Sequence, residues 1–161
     1  MTTPVGSTDL PTTSRPATST SPTGVDPRGL RFAAWITTVV LAAVLLTRSG
    51  WLLGFQTLVF AVGAGLGLRY APYGQLFRRL LRPRLGPPKE LEAEAPPRFA
   101  QAVGLVFATI GVIGFATGLT LLGVIATGFA LVAAVLNAAF GLCLGCEMYL
   151  VLARLHRRRA A

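Results

Sequence analysis

The sequence predicts an all-α membrane protein: four transmembrane helices in two hairpins, with a short amphipathic cytoplasmic helix between them. Three observations carry this. Hydrophobic residues make up 53% of the 161 residues and charged residues only 13%, against roughly 25% charged in a soluble globular domain. The apolar residues gather in three runs, Phe32–Thr47, Trp51–Leu68 and Phe99–Ala153. The basic residues fall almost entirely on one side of a four-span threading. Length allows one compact unit.

Residues 1–24 hold eight Thr, four Ser and four Pro and almost nothing apolar. Such a segment cannot bury enough surface to offset its ordering entropy, so residues 1–25 are expected to be a disordered tail. It lacks the basic start and early apolar core of a signal peptide. Arg48-Ser49-Gly50 makes a tight polar turn between the first two runs. The third run carries one charge, Glu147. As a single helix it would be roughly 80 Å long, against a hydrocarbon core of about 30 Å. It must turn. The expected spans are about 31–47, 51–69, 98–117 and 120–153, the last bent near 137–145. Residues 69–97 form the connection and 157–161 a basic tail.

An internal likeness places the second turn. Arg31-Phe32-Ala33 recurs as Arg98-Phe99-Ala100, and each follows an acidic residue and proline. The same offset carries the first turn to residues 115–117, beside Thr117-Gly118-Leu119-Thr120. The chain then reads as two hairpins in parallel orientation, with chance matching of a low-diversity apolar sequence as the alternative.

Charge sets the orientation. Arg15, Arg28 and Arg31 precede the first span, the 69–98 connection adds seven basic residues, and Arg154, Arg157, Arg158 and Arg159 follow the last. Only Arg48 lies opposite. Positive charge stays cytoplasmic, so both termini and the connection are expected to face the cytoplasm from a bacterial inner membrane. A formal charge of +9 would suggest nucleic acid in a soluble domain. Here the arginines flank spans without an aromatic-interleaved platform, so lipid is the partner read from them and nucleic acid is not.

In the connection, Gly74–Leu81 puts Leu76, Phe77, Leu80 and Leu81 opposite Gln75, Arg78, Arg79 and Arg82, a pattern suited to the headgroup layer. Pro83, Pro87 and Pro88 are expected to end it, and Lys89–Glu94 reads as a charged linker. Small residues four apart at Gly63/Gly67, Gly114/Gly118 and Gly141/Gly145 suit close helix packing in lipid. Asn137, on one face with Gly141 and Gly145, serves either as polar glue between helices or as a ligand contact.

One constellation looks chemical. Both cysteines of the chain fall in Cys143-Leu144-Gly145-Cys146. A Cys-x-x-Cys pair at a helix start favours the reactive thiolate. Within a regular helix, residues three apart have Cβ atoms about 5–6 Å apart, whereas a disulfide needs roughly 3.5–4.5 Å. Oxidation therefore requires a break or a helix start, and Gly141 and Gly145 supply backbone freedom there. Counting about 20 residues from 120 puts this kink at the cytoplasmic rim. Glu147, beside Cys146, is a proton acceptor or donor for the pair or an ion-pair partner of Arg154 or a loop arginine. Tyr149, Trp35 and Trp51 read as interfacial anchors, and His156 as a solvated residue. Two thiols fall short of the four ligands of tetrahedral zinc; a homo-oligomer would be needed to complete such a site. No metal or cofactor is expected, and no Ser/His/Asp set or phosphate loop occurs.

Asp26-Pro27-Arg28-Gly29, Pro96-Pro97-Arg98-Phe99-Ala100-Gln101 and above all Leu136–Tyr149 with its Cys-Leu-Gly-Cys resemble a bacterial integral membrane family catalogued as domain of unknown function 4395. The likeness covers about residues 25–153. One departure is Leu142, where many members are expected to carry an aromatic; it bears on packing. The resemblance implies a small multi-span membrane protein and supplies no established activity. It also implies a genomic setting near thioredoxin-like and sulfurtransferase proteins, which would suit a thiol role.

Three functions stay open. The first is thiol–disulfide exchange or sulfur relay through Cys143, Cys146 and Glu147 with a thioredoxin-like or sulfurtransferase partner. The second is a non-catalytic membrane subunit or anchor, with the thiols as packing residues. The third is a conduit for a small sulfur compound.

Overall fold

The computed structural model describes residues 24–88 and 90–159. The expected tail at 1–25 lies outside the described residues up to 23, as do Lys89 and the last two residues. Seven α-helices follow in order: α1 (Pro27–Thr47), α2 (Gly50–Gly65), α3 (Pro72–Leu80), α4 (Arg82–Leu85), α5 (Ala95–Ala116), α6 (Thr120–Val135) and α7 (Leu144–Arg159), with a π-helical turn at Leu136–Phe140. Gly24–Val25 (β1) pairs antiparallel with Glu92–Ala93 (β2), so the charged linker ties back to the start of the described chain.

Local chemistry sets these boundaries. The Asp26 side chain accepts the Arg28 N–H at 3.0 Å and caps α1, with Pro27 at the first position, where its missing N–H costs nothing. Arg48, at φ 52°, ends α1. Ser49 caps α2 by accepting the Leu52 N–H. α5 ends at Ala116, Gly118 takes φ 79°, and α6 starts at Thr120.

Among the described residues, three segments are long and apolar enough to cross a membrane: Pro27–Thr47, Ala95–Ala116 and the continuous Thr120–Phe140. α2 is apolar but has 16 residues, about 24 Å. Leu41, Val44, Leu53, Phe60, Ala108 and Ala130 form the core between these helices. Trp51 and Leu46, 93% and 86% exposed, show how large apolar side chains face outward. Such an apolar exterior suits lipid as the surrounding solvent.

Contacts fix who packs on whom. α5 lies against α2, where Gly104 meets the Phe60 ring and Gly63 meets the Gln101 side chain, and against α6, where Gly114 meets Gly123. α1 lies against α6, with the Arg31 guanidinium at the Ala138 and Ala139 carbonyls. α3 packs on α1 and α7 on α5.

The likeness of the two halves extends to a third helix. Phe32 of α1 sets its ring 5.8 Å from Phe77 of α3, and Phe99 of α5 sets its ring 5.8 Å from Tyr149 of α7. Arg31 reaches the carbonyls that end the α6 segment, and Arg98 reaches Ala64 and Gly65 at the end of α2 at 2.7 and 2.6 Å. Each half thus supplies an arginine to the second helix of the other.

Two details differ from the sequence reading. The glycine pairs divide their work: Gly63, Gly114 and Gly145 make the close approaches, whereas Gly67, Gly118 and Gly141 take positive φ at helix breaks. The amphipathic helix begins at Pro72 and buries Tyr73 and Phe77, one turn apart, while Leu76 and Leu80 stay exposed. α3 ends at Leu80, just before Pro83, which sits in the first turn of the separate α4.

Candidate functional site

The site is the junction of α6 and α7. Leu136–Phe140 widens into a π-turn, and Gly141 closes it at φ 70°. A residue with Cβ would pay roughly 1–2 kcal/mol for that left-handed conformation, so glycine is the natural stop. The Gly141 N–H donates to Asn137 O and the Leu142 N–H to Leu136 O. Asn137 thus serves the break through its backbone carbonyl.

α7 starts three residues later, at Leu144, and Cys143 occupies its N-cap. The Cys143 carbonyl accepts the first intrahelical bond, from the Glu147 N–H at 3.0 Å. The Cys143 Sγ accepts the Cys146 N–H at 3.3 Å. A sulfur therefore stands where a Ser or Asp oxygen commonly caps a helix. The two cysteines form a disulfide across a Cα–Cα distance of 5.2 Å, within the range such a bond requires. Both residues are half-buried. The positive end of the α7 dipole and the Cys146 N–H both favour negative charge on Cys143 when the bond is reduced.

Gly145 fixes where this helix start lies. It is buried against α5, and a Cβ there would sit 2.6 Å from Ala100 Cα. Tyr149, one turn on, is half-buried against Phe99 in the α5–α7 contact. Glu147 is exposed in the first turn of α7 and makes no ion pair among the described residues. His156 is exposed in the last turn beside Arg157, Arg158 and Arg159. Among the described residues no cluster of three or more His, Cys, Asp or Glu is placed to hold a metal ion.

The equivalent position in the first half holds different chemistry. There α3 starts after Ala71, which offers no side-chain cap. Its Tyr73 hydroxyl donates to Gln56 Oε1 at 2.8 Å in the interior. Burial pushes the Tyr73 phenol up from its ordinary value. Gln56 Nε2 and Thr127 Oγ1 are buried without a hydrogen-bond partner among the described residues.

Sequence reasoning missed three contributors. Arg31, read as a topology charge and as part of the Arg-Phe-Ala likeness, reaches the π-turn carbonyls five and four residues before Cys143. Glu94, placed in a linker, accepts the Leu68 N–H at 2.9 Å and braces the break after α2. The Tyr73–Gln56 pair joins α3 to α2. The matched segments Arg31-Phe32-Ala33 and Arg98-Phe99-Ala100 offered a signal for the first; nothing in spacing marks the other two.

No curated protein and no solved structure matches the chain. The model of the family described as Domain of unknown function (DUF4395) matches residues 25–154, and the chain belongs to that family.

Proposed function

We propose that this protein spans the membrane four times, with α2 as the short fourth span, and exchanges thiols and disulfides with a soluble partner at its cytoplasmic face. The asymmetry of basic residues supports that orientation. The observation that carries the chemistry is the Cys143 Sγ at the N-cap of α7, accepting the Cys146 N–H.

In the reduced protein the Cys143 thiolate attacks one sulfur of a partner disulfide. A mixed disulfide forms, and the partner's other sulfur leaves as thiolate. Cys146 then loses its proton to water or to Glu147 and attacks the Cys143 sulfur. The Cys143–Cys146 bond closes and the partner's second thiolate departs. Two electrons pass from the protein dithiol to the partner disulfide, and the reverse sequence oxidises a partner dithiol. Relative potentials decide the direction. A thioredoxin-like protein, or a sulfurtransferase that carries a cysteine pair of its own, has the required chemistry.

The test mixes the oxidised, purified chain with a reduced thioredoxin-like protein. Loss of two partner thiols per chain is the expected result; with the partner supplied oxidised instead, a mixed disulfide trapped by reduced C146S but not by reduced C143S is expected. No thiol loss and no trapped species would leave the non-catalytic anchor as the better reading.

A further inference from the structure

The exchange reaction proposed above uses Cys143, Cys146 and Glu147, but the structure joins a fourth side chain to this site from the other half of the molecule. Arg31 lies on α1. Its Nη2 donates to the carbonyls of Ala138 and Ala139, 3.4 Å each. Those carbonyls belong to the π-turn that ends the α6 segment. The last carbonyls of a helix carry its negative end, and here the chain reaches Cys143 three residues after that end. Left uncompensated, that end would oppose a thiolate at the next helix start. A guanidinium on it removes that opposition and ties the π-turn to α1.

We infer that Arg31 is a positioning residue for the thiol pair, holding the α6 terminus and offsetting its negative end so that the reduced form of Cys143 is favoured. The inference rests on the redox reading of the pair. The duplicated architecture supplies an internal control. Arg98 performs the same capping on α2, but the segment after α2 leads to Ala71 and Tyr73 and holds no sulfur. Loss of Arg98 therefore removes an equivalent helix-capping contact whose hydrogen bonds go to Ala64 and Gly65 and not to the π-turn.

The experiment equilibrates the full-length protein in lipid nanodiscs with glutathione buffers at fixed pH. Free thiols are counted after acid quench, for wild type, R31Q, R31K and R98Q. The balance is one protein disulfide plus two glutathione thiols giving one protein dithiol plus one glutathione disulfide. R31Q is expected to lower this reduction constant about two- to five-fold, the usual scale of a charge at a helix end. R31K, which keeps the cation but loses the planar fork, is expected to lower it by less, and R98Q to leave it unchanged. An R31Q constant equal to wild type, or an equal fall in R98Q, overturns the inference. If R31Q does not fold, R31M carries the test, and an unchanged constant there overturns it. A wild-type pair that never equilibrates with glutathione sinks the redox reading itself; a wild type that does, with R31Q indistinguishable from it, sinks only the role of Arg31.

Discussion

Phe32 and Phe99 hold the same place in the two halves of the molecule: each sets its ring 5.8 Å from an aromatic ring on the third helix of its own half, Phe77 and Tyr149 respectively. Removing either ring should release only its own third helix. Phe99→Ala is expected to speed trypsin cleavage at the α7 arginines, and Phe32→Ala cleavage at Arg78 and Arg79 of α3. Limited proteolysis in detergent reads both. Equal release of both helices by one substitution would contradict the independence of the two contacts.

Gly145 makes a close approach of α7 to α5. A methyl group there meets the Ala100 backbone at 2.6 Å, and backbone cannot swing aside. Gly145→Ala is expected to cost about 1–3 kcal/mol as overpacking and to lower the melting temperature. Gly128→Ala is the control, since a Cβ there meets nothing within 4 Å; it should be neutral or mildly stabilising.

The Tyr73–Gln56 bond ties α3 to the interior of α2. Tyr73→Phe leaves the whole buried Gln56 amide unpartnered, at a cost of about 1–3 kcal/mol. Adding Gln56→Met removes the stranded polar group and should recover most of the loss. Melting temperatures of the single and double variants check this.

Burial raises the Tyr73 phenol above its ordinary value, which fixes a sign for pH. The folded state holds the proton more tightly than the unfolded chain, so the contribution is intact below about pH 10 and fades as pH climbs through the folded value. In a Tyr70→Phe, Tyr149→Phe background, phenolate absorbance should rise only above that of a free tyrosine. A rise at the ordinary value would contradict the burial of this hydroxyl.

The apolar runs and the turns between them were legible because the physics that sets them is local. Arg48-Ser49-Gly50 carries its own cap, and an apolar run as long as Phe99–Ala153 exceeds any bilayer as one helix. The need for a break before the cysteines was legible too, from the spacing that a disulfide demands. Arg31, Glu94 and Tyr73 were not. Their partners are backbone carbonyls, an N–H and an amide on other helices, and such pairings follow from packing between helices. The glycine pairs misled for the same reason, since a stretch with Gly four residues apart reads alike whether the second glycine packs or turns.

Alkylation in inverted membrane vesicles tests the central claim most directly, with an impermeant maleimide applied to the protein before and after reduction and to the single variants C146S and C143S. The account predicts no labelling of the oxidised wild type and labelling after reduction. It also predicts that near neutral pH Cys143 in C146S reacts several-fold faster than Cys146 in C143S, because only the Cys143 sulfur caps the helix. No labelling after reduction, or a Cys146 that reacts as fast as Cys143, would contradict it.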